Sequence, residues 1–416
     1  MRKLFGIATV AMLALGTAIL PAMAADTLKI GYVDPLSGGG AAAGQIGLNQ
    51  LKFIAEEING KGGVLGKQVE IIPYDNQLDP QVSLVQIQKA IDQGVRIIVQ
   101  GNGSSVAATV ESFVDKFNSR NPGKEVVHIN HAAIDPSLTN DNCSYWHFAF
   151  DANVNIKIEA MTNFMKANAA IKKVYLINQD YSFGHSVAGA AAEKLSAEGS
   201  SIEVVANEFV PLQKVTDFSP YIAKIKASGA DSVLTANWGN DLQLMIKAAG
   251  DAGLSVNWYT FYAGLAGTPT AIQQAGMEDN VFQITEGVNN IDYKPMQEKV
   301  KEYIAKYPDS PIYYPRLFTA MGMVFKAVEE AESEDPVKFV PKLEGMRYAN
   351  FIDGKEGFMR PDDHQYFQTM YISGFGALGA DQPFDEEGTG WGWKVAAAVP
   401  VDDTIVSTTC QMKRPE

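Results

Sequence analysis

The sequence is short of the residues that hold metals and attack substrates. It carries two cysteines and five histidines in 416 residues. The histidines are scattered (His128, His131, His147, His185 and His364), and neither an HExxH nor a CxxC pattern occurs. His128 and His131 fall on or just after a strand, where their odd spacing turns them to opposite faces. No metal site is expected. No Gly-x-Ser-x-Gly elbow marks a secreted α/β hydrolase. Two Gly-rich loops stop short of nucleotide motifs. Gly101-Asn-Gly103-Ser-Ser-Val106 has a valine where a dinucleotide fingerprint needs its third glycine, and Gly38–Gly44 lacks the Lys-Ser/Thr ending of a phosphate loop. No cofactor and no catalysis are therefore expected. Basic residues are also in deficit, 34 against 48 acidic ones. The resulting net charge of −14 repels nucleic acid. Beyond the first 20 or so residues, no apolar run is long enough to span a bilayer.

What is present begins with an export pattern. Arg2 and Lys3 precede an apolar stretch from Leu4 to Leu20, and Ala22-Met-Ala24 supplies the small-x-small site that signal peptidase accepts. Cleavage after Ala24 is expected, with a membrane anchor as the alternative. No cysteine at the junction offers lipid attachment. The mature chain is expected in the periplasm, an oxidising compartment where Cys143 and Cys410 are candidates for one disulfide. Such a bridge would pin a C-terminal tail, residues 401–416, to the body; two unrelated thiols are the alternative.

Along the chain, strand and helix alternate. Leu28–Val33, Val69–Tyr74, Arg96–Gln100 and Val126–Asn130 read as strands, separated by helical periodicity at Ile46–Asn59, Val82–Gln93 and Ser105–Phe117. The pattern pauses at 140–155 and resumes from Lys173–Asn178, with another strand at Val281–Thr285 and a last β-rich stretch at Gln368–Phe375. This is an α/β chain with two Rossmann-like lobes, each a parallel sheet covered by helices. Their ligand-facing loops lie at the carboxyl ends of the strands and would line a cleft between the lobes. The Gly101–Ser105 loop opens a helix, so its N–H groups offer a carboxylate site; close backbone approach at a strand-to-helix turn is the plainer explanation.

Five segments then carry a resemblance: Ile30-Gly-Tyr-Val-Asp-Pro-Leu-Ser-Gly38, Glu57-Ile-Asn-Gly-Lys-Gly-Gly63, Asp75-Asn-Gln-Leu-Asp-Pro80, Asp180-Tyr-Ser-Phe-Gly184 and Thr216-Asp-Phe-Ser219. With them the chain resembles the leucine/isoleucine/valine-binding family of type I periplasmic binding proteins, the solute-binding components of branched-chain amino acid ABC transporters. The resemblance implies two lobes joined by three crossovers, closing on a ligand like a hinged trap. It places lobe one at 25–149 and 280–365 and lobe two at 150–279 and 366–400. It also implies a small-molecule ligand, an inner-membrane ABC permease as partner, and a monomer.

The resemblance assigns binding positions one at a time. Ser105, with Ser104 and Asn102 beside it, takes the family's carboxylate-binding loop. Ala132 and Ile134 take the next loop, where the family's hydroxyl is lost. Phe183 and Trp238 take aromatic positions in lobe two, with Tyr262 close by. Ala263 stands where the family's glutamate receives the amino acid's ammonium, and Ala43 where it has an aromatic. An ammonium buried without a carboxylate costs several kcal/mol, so these departures point to an aromatic or other non-amino carboxylic acid. The alternatives are an amino acid ligand, a sensory module on the same fold, or a secreted α/β enzyme. Capping of a helix by Ser104 or Ser105, and core packing of Phe183 and Trp238, are the plainer explanations of those residues. Arg316 reads as half of a surface ion pair, with a link between lobes or contact with an anionic ligand as the alternatives.

Overall fold

The computed structural model describes residues 26–308 and 310–415. The export segment, 1–24, lies outside them. The first lobe is built on β1 (Thr27–Asp34), α1 (Ala41–Gly60), β2 (Gln68–Asp75), α2 (Pro80–Asp92), β3 (Ile97–Gln100), α3 (Ser104–Arg120), β4 (Val127–Asn130) and β5 (His147–Ala149). Its five parallel strands lie in the order β2-β1-β3-β4-β5. Local chemistry sets the helix starts. Asp79 accepts hydrogen bonds from the amides of Gln81 and Val82, and Pro80 occupies the first turn of α2, where its missing N–H is not needed.

The chain then enters the second lobe through α4 (Val154–Ala167), capped by the Asn153 side chain on the amide of Ile156. There follow β6 (Lys173–Gln179), α5 (Ser182–Leu195), β7 (Glu203–Val210), α6 (Ser219–Ser228), β8 (Ser232–Thr235), α7 (Asn240–Asp251), β9 (Asn257–Thr260), α8 (Thr268–Gln274) and β10 (Val281–Thr285). A second crossing returns the chain to α9 (Lys294–Lys306), α10 (Arg316–Glu330) and α11 (Pro336–Leu343). Of these, α9 packs on α1 of the first lobe, with Lys299 paired to Glu57 at 2.5 Å and Phe53 edge-on to Tyr303. A small antiparallel sheet follows: β11 (Arg347–Ala349), β12 (Glu356–Met359) and β13 (Tyr366–Phe367). A third crossing leads to β14 (Met370–Ala377) and β15 (Trp391–Val399), which add antiparallel to the second sheet. That sheet reads β15-β14-β10-β9-β8-β6-β7. Its parallel part repeats the strand order of the first lobe, so both lobes have a switch point at equivalent places.

One expected boundary moves. A return to lobe one at residue 280 would put Val281–Thr285 there, yet β10 pairs with β9 and β14 and belongs to the second sheet. Its buried face also joins that lobe's core, with Val281 beside Trp258 and Met277. The chain leaves the second lobe only after Thr285.

The two cysteines are joined, Cys143 to Cys410. The tail after β15 thus runs back to the first lobe. Thr408 Oγ1 donates to the carbonyl of Thr139, the amide of Thr409 donates to Asn140 Oδ1, and Arg414 meets Glu344 at 2.6 Å.

Candidate functional site

The loops at the carboxyl ends of both sheets converge on one cavity with about 340 Å³ of atom-free space. From the first lobe it is lined by Gly101, Asn102, Gly103, Ser104 and Ala132; from the segment before α10 by Tyr313 and Tyr314. The second lobe contributes Tyr181, Phe183, Trp238, Tyr262 and Leu265. Six of these twelve residues are aromatic and none is an acid or a base. The wall is thus made largely of ring faces, with no carboxylate or ammonium among its side chains.

Asp34, the last residue of β1, organises the first-lobe wall. It is fully buried. One carboxylate oxygen accepts from the amides of Gly101 (3.3 Å) and Asn102 (3.0 Å); the other accepts from Asn102 Nδ2 (2.9 Å) and lies 2.8 Å from His131 Nε2. Asn102 Oδ1 in turn accepts from the Tyr314 hydroxyl at 3.0 Å. This ties down the loop that opens α3. Gly101 must be glycine, because a Cβ there would come within 2.6 Å of the Ala132 amide and 2.7 Å of the His131 ring. Gly103 holds φ +90° and no side chain caps α3. The first amides of that helix are thus free to receive an anion.

The second-lobe wall is positioned as firmly. Trp238 Nε1 donates to the Tyr181 hydroxyl at 2.8 Å, and the Trp238 carbonyl accepts from Gln179 and Gln213. Phe183 packs edge-on to Phe261, with Tyr262 6.0 Å away between centroids. Around the cavity the lobes meet through polar contacts made by Tyr262, Ser105 and Ser186. Tyr262 Oη lies 3.1 Å from the Ala132 carbonyl and 3.0 Å from Asp151 Oδ2, Ser105 Oγ lies 3.3 Å from Ser182 Oγ, and Ser186 Oγ donates to Asp135 Oδ2 at 2.9 Å. This is a closed arrangement.

Behind the cavity, at the crossings, sits a buried charge cluster. Asp151 follows β5, Glu286 follows β10, Lys157 lies in α4, and Arg316 opens α10; none is more than 2 % exposed. Arg316 grips both Glu286 oxygens (2.6 and 2.7 Å), reaches Asp151 at 3.1 Å and bonds the His131 carbonyl. Lys157 meets Asp151 at 2.7 Å. Burial pulls the Lys157 ammonium below its usual range against the opposing pull of Asp151. Burial acts the same way on the Arg316 guanidinium but is outweighed by Asp151 and Glu286, so it stays charged. The expected surface ion pair of Arg316 is therefore corrected: the residue is a buried link between crossings, because β10 delivers Glu286 directly to it.

The structure gathers Asn102, Ser104, Ala132, Phe183, Trp238 and Tyr262 around the cavity. It does not bring four other expected residues there. Ala43 is packed in the core of the first lobe under α1, and Ile134 is buried in the same core. Ala263 is turned into the core of the second lobe. Ser105, one residue further round α3 than Ser104, faces Ser182 rather than the cavity. Residues that sequence reasoning missed are Asp34, Tyr181, Leu265, Tyr313 and Tyr314. Asp34 and Tyr181 lie inside quoted segments, Ile30–Gly38 and Asp180–Gly184, while Tyr313 and Tyr314 stand beside Arg316.

Residues 27–377 match a protein family described as periplasmic binding proteins. The chain belongs to that family. Among relatives of this periplasmic binding protein, "Leu/Ile/Val-binding protein homolog 4" of Brucella melitensis is 32 % identical over 422 residues, covering 99 % of each chain. In structure it is similar to the closed form of a leucine-, isoleucine-, valine-, threonine- and alanine-binding protein from Brucella ovis. That match has a TM-score of 0.82 and 29 % identity, with 94 % and 100 % of the two chains covered. It also shares its fold with an ABC transporter solute-binding protein from R. palustris solved with benzoate, at TM-score 0.78 and 17 % identity over 93 % and 100 % of the chains. The chain is thus a type I periplasmic binding protein, a solute-binding component of the ABC transporter class. Among its described residues no helix is long and apolar enough to cross a membrane.

Proposed function

We propose that this binding protein captures a small carboxylic acid, aromatic or otherwise lacking an α-ammonium, and delivers it to an inner-membrane ABC permease. The observation that carries the reading is the composition of the cavity wall: six aromatic rings, no acid, and an uncapped helix start at Gly103–Ser104. The ligand's carboxylate meets the first amides of α3 and the side chains of Asn102 and Ser104. Its flat body lies among Phe183, Trp238, Tyr181 and Tyr262. Asp151, which Tyr262 links to the cavity, is already paired with Lys157 and Arg316 rather than open to an ammonium. Closure shifts an existing balance between open and closed lobes, and Tyr262 reports it by bridging Ala132 and Asp151. Micromolar capture needs about 8 kcal/mol, within reach of an excluded-water anion site plus stacked rings.

A second reading, an amino acid ligand, is favoured by the printed names of the relatives from Brucella. Isothermal titration of the purified, ligand-stripped protein separates the two. Binding of benzoate- or cinnamate-type acids with no heat from leucine, isoleucine or valine is the expected result. Tight leucine binding with none by the aromatic acids overturns it.

A further inference from the structure

A second chamber, partly open to solvent, adjoins the cavity. Tyr313 lines both and is their shared wall. Its ring packs so closely on Gly264 that a Cβ there would sit 3.0 Å from the ring. The chamber is formed where the strand ends of β9 and β10 (Gly264, Gln283, Thr285) meet the crossing segment at Pro311–Pro315, with Glu386 and Trp393 closing it.

Two buried polar groups on this wall have no partner among the described residues. Trp393 is 2 % exposed, and its indole N–H is buried and donates to nothing. The Tyr313 hydroxyl is equally buried and unpaired. Glu386 lines the chamber beside them and is 6 % exposed. Its neighbours are satisfied: Glu387 accepts from the amide and hydroxyl of Thr270, and Asp385 accepts from the amide of Gly390. Buried polar groups without partners are uncommon and each costs stability. Two around one chamber, with a carboxyl beside them, mark a place built for a polar guest. Burial, with Glu387 and Asp385 nearby, raises the Glu386 pKa to about 8, so it stays protonated and can donate as well as accept.

We propose that this chamber is a subsite for a hydroxyl group at the far end of an aromatic acid held in the main cavity. It rests on the aromatic-acid reading and narrows it to hydroxylated members. A hydroxyl matches the unpaired set as no single-function group does: its oxygen accepts from the Trp393 N–H while its proton goes to Glu386. The Tyr313 side chain yields to let the ring's far end pass, and its own hydroxyl then gains a partner. An apolar or methylated end group would leave the Trp393 N–H buried and unsatisfied.

The test is isothermal titration of the full-length mature protein with cinnamate, 4-hydroxycinnamate and 4-methoxycinnamate at pH 7. The expected result is an affinity at least about tenfold higher for the hydroxy acid than for the other two. That preference should shrink toward unity in Trp393→Phe and in Glu386→Leu, each checked for folding by its melting curve. The wild-type series needs no variant to fold. If both cinnamate and 4-hydroxycinnamate bind equally, or the preference survives in both folded variants, the subsite is wrong while the aromatic-acid reading stands. If none of the three acids binds, the aromatic-acid reading falls and the subsite with it.

Discussion

The hinge cluster and the ligand cavity lie side by side and are built on opposite rules. The cluster buries four charges, Asp151, Lys157, Glu286 and Arg316, and pairs every one within the protein. The cavity wall carries no charged side chain and leaves the start of α3 uncapped and the Tyr313 hydroxyl without a protein partner. A hinge must be the same whether or not a guest is present, so its electrostatics are closed internally. A binding site must be incomplete alone, so that the guest supplies what is missing. Tyr262 is where the two meet: its ring faces the cavity while its hydroxyl contacts Asp151, and the Lys157 ammonium sits 4.9 Å from the ring centre.

The sharpest way to break this contrast is to open the cluster. Arg316→Met leaves Asp151 and Glu286 sharing one cation, and a buried ion pair broken on one side costs about 3–5 kcal/mol. Urea unfolding should show a loss of that size; an unchanged midpoint would mean that the cluster contributes nothing. Trp238→Ala acts on the other side of the contrast. Removing a stacked ring from the cavity should weaken binding of whichever acid is captured by about 2–3 kcal/mol, roughly 30- to 150-fold, with little change in melting temperature. If the loss falls on stability instead, Trp238 is a core residue and the cavity's aromatic wall has been misread.

Acid should separate the regions again. The cavity's ionisable residues, Tyr181, Tyr262, Tyr313 and Tyr314, are all pushed upward by burial, so affinity should stay flat between about pH 5.5 and 7. Stability should not. His128, walled in beside His147 under β4 and β5, is lowered to about 3 by burial, and His147 is lowered as well. A base whose folded pKa is depressed takes its proton first in the unfolded state. The stability it supports is therefore present above the unfolded value of 6.5 and is lost as pH falls toward the folded one. For His128 this amounts to about 2 kcal/mol by pH 5, and His128→Phe should flatten the curve measured by denaturant titration across that range. The smallest effect belongs to Tyr262→Phe. Losing the hydroxyl that joins Ala132 to Asp151 should weaken binding by about 1 kcal/mol, with a larger average radius in solution scattering as the closed form loses weight. A variant as compact and tight as the parent would remove the hydroxyl from the closing mechanism.

The comparison also shows why one region could be foreseen and the other not. Periodicity and glycine punctuation mark most of the strands and helices, since each buries apolar side chains at a regular spacing. They miss, among others, β5, three residues inside the pause at 140–155, the helix α4 that follows it, and β15, whose Trp391-Gly-Trp-Lys-Val-Ala-Ala-Ala-Val399 lies half exposed at a sheet edge. In the cavity, Asn102, Ser104, Ala132, Phe183, Trp238 and Tyr262 are legible through the binding positions that the family resemblance assigns. Ser105 was displaced by one helical step, which sequence spacing does not resolve when either serine can face inward. The hinge cluster was hidden for a different reason. Asp151, Lys157, Glu286 and Arg316 are spread over 166 residues, and each alone looks like a solvated surface charge. Only the crossings bring them together.

The bond between Cys143 and Cys410 encloses the whole second lobe in a single covalent ring. With no other cysteine in the chain, oxidation has one intramolecular outcome and no isomers to sort. Cys410 lies 267 residues after Cys143, so the bond can form only once all of the second lobe has been made.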